Sequence, residues 1–229
     1  MHQPNLFISP VFKLGPITIT NTVVTTWGII GTLLLVSWIA TRHLKIKPGP
    51  WQVILEGIVS TAVDAISAVL PDDLRRVLPF ISTLWIFILT ANLMSVIPHL
   101  HSPTGDLSLT AALAVLVFLS VHWFGIRIQG LKNYLLHYVR PNPLLFPFHI
   151  ISEISRTIAL AVRLFGNMFS LEMAALLILM VGGLLIPVPV LMLHIVEALV
   201  QAYIFGMLAL IYIAGGIQSH QQIEKKEKE

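Results

Sequence analysis

The sequence predicts an all-α membrane protein: about five transmembrane helices, the last two forming a long, steeply tilted hairpin, plus an interfacial amphipathic helix. Three observations predict it. Of the 229 residues, 56% are hydrophobic and only 11% charged, with mean hydropathy +0.85; a soluble domain carries about 25% charged residues. Five apolar runs reach the length of about 20 residues that a crossing helix needs. The fourth, Ile150–Val181, would rise about 48 Å as a helix, against a hydrocarbon core of about 30 Å, so it must tilt or kink.

In chain order, the first span is Val23–Thr41. The residues before it lack a basic n-region, and the run leads into Arg42-His43 and not into a small-residue cleavage site, so it is read as a retained span and not a signal peptide. Trp51–Leu70 follows, with Glu56, Ser60, Asp64 and Ser67 on one polar stripe. That pattern fits a helix lying in the interface better than a sixth span. Leu131–Val139 is similar but shorter. The second and third spans are Val77–Pro98 and Leu107–Gly125. Gly182-Gly183 and Pro187-Val188-Pro189 end the fourth span and force the reversal into the fifth, Val190–Ile217. Residues 218–229 read as a cytoplasmic charged tail, and residues 1–229 together as a single membrane domain.

Charge distribution sets the expected orientation. Eleven of the 14 Lys and Arg residues share one side: Arg42, Lys45, Lys47, Arg75, Arg76, Arg127, Lys132, Arg140, Lys225, Lys226 and Lys228. Lys13 alone lies on the other, so the positive-inside rule puts the N-terminus outside and the C-terminus in the cytoplasm. There is no Cys, hence no disulfide framework and no legible redox compartment.

Arg156 and Arg163 are the two remaining cations, and both fall inside a span. A charge at membrane depth costs at least about 2.5–3.5 kcal/mol, so it is usually retained for a job such as ion transfer. Apolar residues flank Arg163 too far on both sides for its side chain to snorkel. Seven residues apart, the two arginines share a helix face, with Asn167 close to it; Glu172 lies about half a turn round and points away. His194, Glu197, Gln201 and Tyr212 share a stripe on the fifth span, a series of protonatable and hydrogen-bonding groups suited to a proton path. A turn centred on Gly182-Gly183 would set Glu172 opposite His194 and Arg163 opposite Gln201; a turn centred on the prolines would shift both pairs by one or two helical turns. Plainer roles stand beside these. Arg156 fits an interfacial position beside Glu153, Asn167 and Gln201 fit interhelical hydrogen-bond glue, His194 fits a packing histidine, and Asp106 fits a cap on the helix from Leu107 as well as a carboxylate at the outer mouth.

No phosphate-binding Gly loop, metal-ligand spacing or nucleophile elbow is present, so no cofactor, metal or soluble catalysis is expected, and no nucleic acid. Arg163-Leu164-Phe165-Gly166-Asn167-Met168 followed by Glu172 resembles the signature of subunit a of F-type ATP synthases. His194 through Gln201-Ala202-Tyr203-Ile204-Phe205, Pro79 to Leu93 with Pro98, and Pro103-Thr104-Gly105-Asp106-Leu107 match that family as well. The resemblance implies a membrane stator subunit of the bacterial inner membrane, not catalytic alone, which partners a c-subunit ring, the b-subunit peripheral stalk and the remaining synthase subunits and translocates H+ or Na+. It implies that Arg163 faces the ring carboxylates, with Asn167 and Gln201 as polar neighbours. Glu172 and His194 then line the outer half-channel. Beside the resemblance, Glu197, Asp106 and Arg156 are further half-channel candidates. Glu197 departs from the family pattern. Ser155-Arg156-Thr157 with Met173 after Glu172 is similar to the alternative, second-copy synthases of some bacteria. A stand-alone secondary transporter or channel, gated by the Arg163–Glu172 helix, is the competing expectation.

Overall fold

The computed structural model describes residues 10–14, 17–42, 49–97, 102–130, 146–182 and 188–227. Five of its helices are long and apolar enough to cross a membrane. Helix α1 is Asn21–Arg42, α2 Pro50–Ser67, α3 Leu74–Leu93, α4 Leu107–Gln129, α5 Phe146–Gly182 and α6 Val188–Glu227. Short 3-10 turns at Met94–Val96 and Pro103–Gly105 lie between α3 and α4. The sequence-expected short helix Leu131–Val139, with Gly183 and Pro187 of the hairpin turn, lies outside the described residues.

Local chemistry explains most of the boundaries. Pro50 occupies the first turn of α2, where its missing N–H costs nothing. Asp106 caps α4 by accepting the Ser108 N–H at 2.9 Å. Gly130 ends α4 with φ +81°, a conformation that favours glycine.

Two features depart from the expectation. An antiparallel pair of short strands, β1 Pro10–Leu14 and β2 Ile17–Thr20, precedes α1; the alternation Ile17-Thr18-Ile19-Thr20 after Gly15-Pro16 is its sequence signal. The charged tail does not break the helix: α6 continues through it to Glu227. No Pro interrupts the chain after Ile217, and Gln, Glu and Lys are strong helix formers.

The core forms where α3, α4, α5 and α6 meet, around Val77, Ile81, Ile88, Val117, Leu164, Phe205 and Ile213. Helix α1 stands outside it with only Ile29 buried. Between α3 and α6, the Trp85 indole lies directly over Gly206, donates to the Tyr203 carbonyl oxygen at 3.3 Å and stacks on the Tyr203 ring. That notch fixes the height of α6 against α3, and with it the height of every polar residue on α6.

Candidate functional site

Helices α5 and α6 carry the polar residues singled out in the sequence, and the fold sorts these into three levels. At the middle level, Asn167 Nδ2 donates to Gln201 Oε1 at 2.7 Å across the hairpin. The midpoint of that pair falls just after Gly182-Gly183, well before Pro187, so the helices adopt nearly the register of a glycine-centred turn. Gln201 is buried, and its Nε2 has no hydrogen-bond partner among the described residues. One turn before Asn167, Arg163 is exposed and makes no hydrogen bond or ion pair among the described residues. It is paired neither to Glu172 nor to Glu197, so neither carboxylate neutralises it.

The second level lies toward the hairpin turn. Glu172 is buried, and its Oε1 accepts the Ser102 backbone N–H at 2.8 Å. The loop before α4 is itself tied down. Ser102 Oγ donates to the Ala91 carbonyl oxygen at 2.9 Å, and Thr104 Oγ1 donates to Asn92 Oδ1 at 2.6 Å. The two hydroxyls touch each other at 2.5 Å. Asn92, fully buried, also donates from Nδ2 to the Ala198 carbonyl oxygen on α6 at 3.5 Å. His194 is buried on α6 with Nε2 at 2.6 Å from Ser95 Oγ, while Ser95 Oγ donates to the Asn92 carbonyl oxygen at 2.9 Å. A hydroxyl has one proton, so in this arrangement the His194 Nε2–H donates to Ser95. Glu172 and His194 are thus held from one polar cluster at the end of α3, each through its own partner. Glu197 is half-buried with no side-chain hydrogen bond or ion pair among the described residues, and Asp106 is engaged as the α4 cap.

The third level lies at the opposite end of the bundle. A cavity of about 190 Å³ between α4, α5 and α6 is lined by His149, Ser152, Glu153, Arg156, Thr157 and Tyr212 above an apolar floor. A water takes about 30 Å³ of liquid volume, so the space suits several. Arg156 does not pair with Glu153; its guanidinium sits over the Tyr212 ring, 5.6 Å from the centroid. Glu153 Oε1 faces His122 Nε2 on α4 at 3.7 Å.

Reasoning from sequence missed Asn92, Ser95, Ser102, Thr104 and His122. The first four are small polar residues that read singly as turn formers or helix glue; the signal that could have found them is an Asn and a Ser one turn apart in an otherwise apolar run, just before a Ser-Pro-Thr loop.

Comparison with known proteins agrees with this architecture. The profile of the family described as ATP synthase A chain matches residues 23–214. ATP synthase subunit a 2 of Pelobacter propionicus is 65% identical over 209 residues, covering 91% of this chain and 92% of the relative. ATP synthase subunit a 1 of Hahella chejuensis is 60% identical over 92% of this chain and 90% of its own length. ATP synthase subunit a of Legionella pneumophila (strain Paris) is 58% identical over 92% of both. The chain belongs to the ATP synthase A chain family, the multi-pass, non-catalytic, ion-translocating subunits of the F-type ATP synthase stator.

Proposed function

We propose that Arg163 is the fixed cation past which the carboxyls of a c-subunit ring are carried, and that it separates two access paths for the ion. The outer path runs from Asp106 at its mouth past Glu172 and His194, with Glu197 one helical turn further in on α6. The inner path opens through the cavity at Glu153 and Arg156. One observation carries the reading: an exposed arginine, without a partner among the described residues, lies midway along the hairpin, between a buried polar cluster at one end and a cavity with polar walls at the other. Along α5, seven residues separate Arg163 from Arg156 and nine separate it from Glu172, or about 10 and about 14 Å of helix rise.

The chemistry follows from the charge. A ring carboxyl in lipid stays protonated, because a desolvated carboxylate is expensive. Beside Arg163, attraction between unit charges at 4 Å amounts to about 4 kcal/mol at an effective dielectric of 20, enough to favour the anion. The ion leaves through one path, and the next site reloads through the other. The fixed cation repels a passing H+ or Na+, so the two paths do not short-circuit. Asn167 and Gln201 hold the helices together beside the arginine without neutralising it. Each charge crossing 100 mV gains about 2.3 kcal/mol, so several crossings are summed for one ATP.

The b-subunit stalk docks on the same membrane domain in this reading. The host membrane is the bacterial inner membrane, with the N-terminus outside and the C-terminus cytoplasmic. The test is ATP-driven ion uptake in inverted vesicles from cells lacking their own subunit a, complemented with this chain or its Arg163→Ala variant. Uptake by the parent and none by the variant, with the complex still assembled, is the expected result, and the sodium dependence of uptake names the ion. Equal uptake by both would overturn the role of Arg163. Solute transport by the purified chain alone in liposomes would support the stand-alone transporter instead.

A further inference from the structure

We propose that the turn Ser102–Gly105 is a clamp that fixes the Glu172 carboxylate, with Ser102 as its positioning residue acting through the backbone amide. The proposal rests on the reading of Glu172 as an outer-path group. Both carboxylate oxygens meet this turn. Oε1 accepts the Ser102 N–H at 2.8 Å, and Oε2 lies where a Cβ on Gly105 would come within 3.0 Å of it. The turn itself cannot drift. Ser102 Oγ is anchored on the Ala91 carbonyl oxygen, Thr104 Oγ1 on Asn92 Oδ1, and Asn92 is fully buried between α3 and α6. A mobile carboxylate would sample many rotamers; one held by a rigid amide has its charge fixed in place for the ion that passes.

The cluster positions and does not conduct. Its hydrogen bonds end on the carbonyl oxygens of Ala91, Asn92 and Ala198 and on an amide N–H, none of which hands on a proton. The polar atoms at the outer end therefore divide into the groups on the ion path, Glu172 and His194, and a frame that holds them.

Ser102 already has φ −65° and ψ 126°, so the backbone need not move at that residue in Ser102→Pro; the variant removes the N–H, and its ring Cδ takes the place of the hydrogen and pushes Oε1 out of the clamp. Ser102→Ala keeps the amide and loses only the hydroxyl bonds, so the difference between the two variants reads the amide. Pumping by the assembled complex, assayed in vesicles by co-purification and ATP-driven uptake, should fall about tenfold more in Ser102→Pro than in Ser102→Ala, the size of a hydrogen bond to a charged group. Gly105→Ala, which crowds Oε2, should also slow pumping, and it carries the test if Ser102→Pro fails to assemble. Glu172→Asp keeps a carboxylate one methylene short of the clamp. In that background, Ser102→Pro and Gly105→Ala should add little, because the contact is already gone.

Parental pumping by both Ser102→Pro and Gly105→Ala, with Glu172→Gln impaired, overturns the clamp and leaves the role of Glu172 standing. Effects that simply multiply with Glu172→Asp also overturn it, since a loop that only supports folding would cost the same in either background. Parental pumping by Glu172→Gln overturns the outer-path reading itself.

Discussion

Arg163 and Arg156 show how one residue type takes two roles seven positions apart. Both are exposed, but Arg156 rests on the Tyr212 ring at the cavity, whereas Arg163 has no partner among the described residues. Both were legible in the sequence, because a charge in an apolar run stands out. Asn92 was not, because an amide in a helix has no such contrast. Its weight is visible only in the fold, where it ties Thr104 on one side to Ala198 on the other. Asn92→Leu would keep the branched shape but leave the buried Thr104 hydroxyl without its Asn92 acceptor and take one donor from the Ala198 carbonyl, so it should destabilise by about 1–3 kcal/mol. The check is a lowered thermal midpoint of the detergent-solubilised complex. Glu197 makes the opposite case. It is half-buried and unbonded among the described residues, so Glu197→Gln should slow ATP-driven pumping less than Glu172→Gln.

Among the elements, α6 is the one whose position matters most, since it carries His194 and Gln201 and is set against α3 by the Trp85–Gly206 notch. Any side chain at Gly206 collides with the indole. Gly206→Val should therefore push α3 and α6 apart, costing on the order of 1–3 kcal/mol as overpacking does. It should also strain the Asn167–Gln201 bond across the hairpin. Lower recovery of assembled complex, with Trp85→Ala restoring part of it by emptying the space, would establish the notch. Recovery equal to the parent's would show that α6 is held elsewhere. The long hairpin was readable from apolar length and from the Gly and Pro residues near its turn. Its register was not, because Gly182-Gly183 and Pro187-Val188-Pro189 both reverse a chain, and packing chose between them. The α6 extension to Glu227 is hidden in the sequence for a related reason: the charge run marks a tail, while helix propensity keeps the backbone winding.

For the molecule as a whole, the topology puts Glu172, His194, Ser95 and Ser102 at one end and His122, Glu153, Arg156 and Tyr212 at the other, whichever end faces the cytoplasm. The arrangement of α3 to α6 alone fixes that separation. Charge is what proposes the assignment of the ends: in the up-and-down order of the helices, Arg42, Arg75, Arg76, Arg127 and the charged end of α6 fall on the side of the Glu153 cavity, and the positive-inside rule reads that side as cytoplasmic. The absence of Cys makes this directly measurable, because a single introduced thiol is the only one in the chain. In right-side-out vesicles, a membrane-impermeant maleimide should label Lys13→Cys at once. It should label Asp72→Cys and Lys226→Cys only after permeabilisation or inversion. Such a pattern places the clamped Glu172 on the outer path and the Glu153 cavity on the inner one. The reverse pattern would exchange the two paths while leaving Arg163 between them, so the direction of ion entry would change but the separation of paths would not.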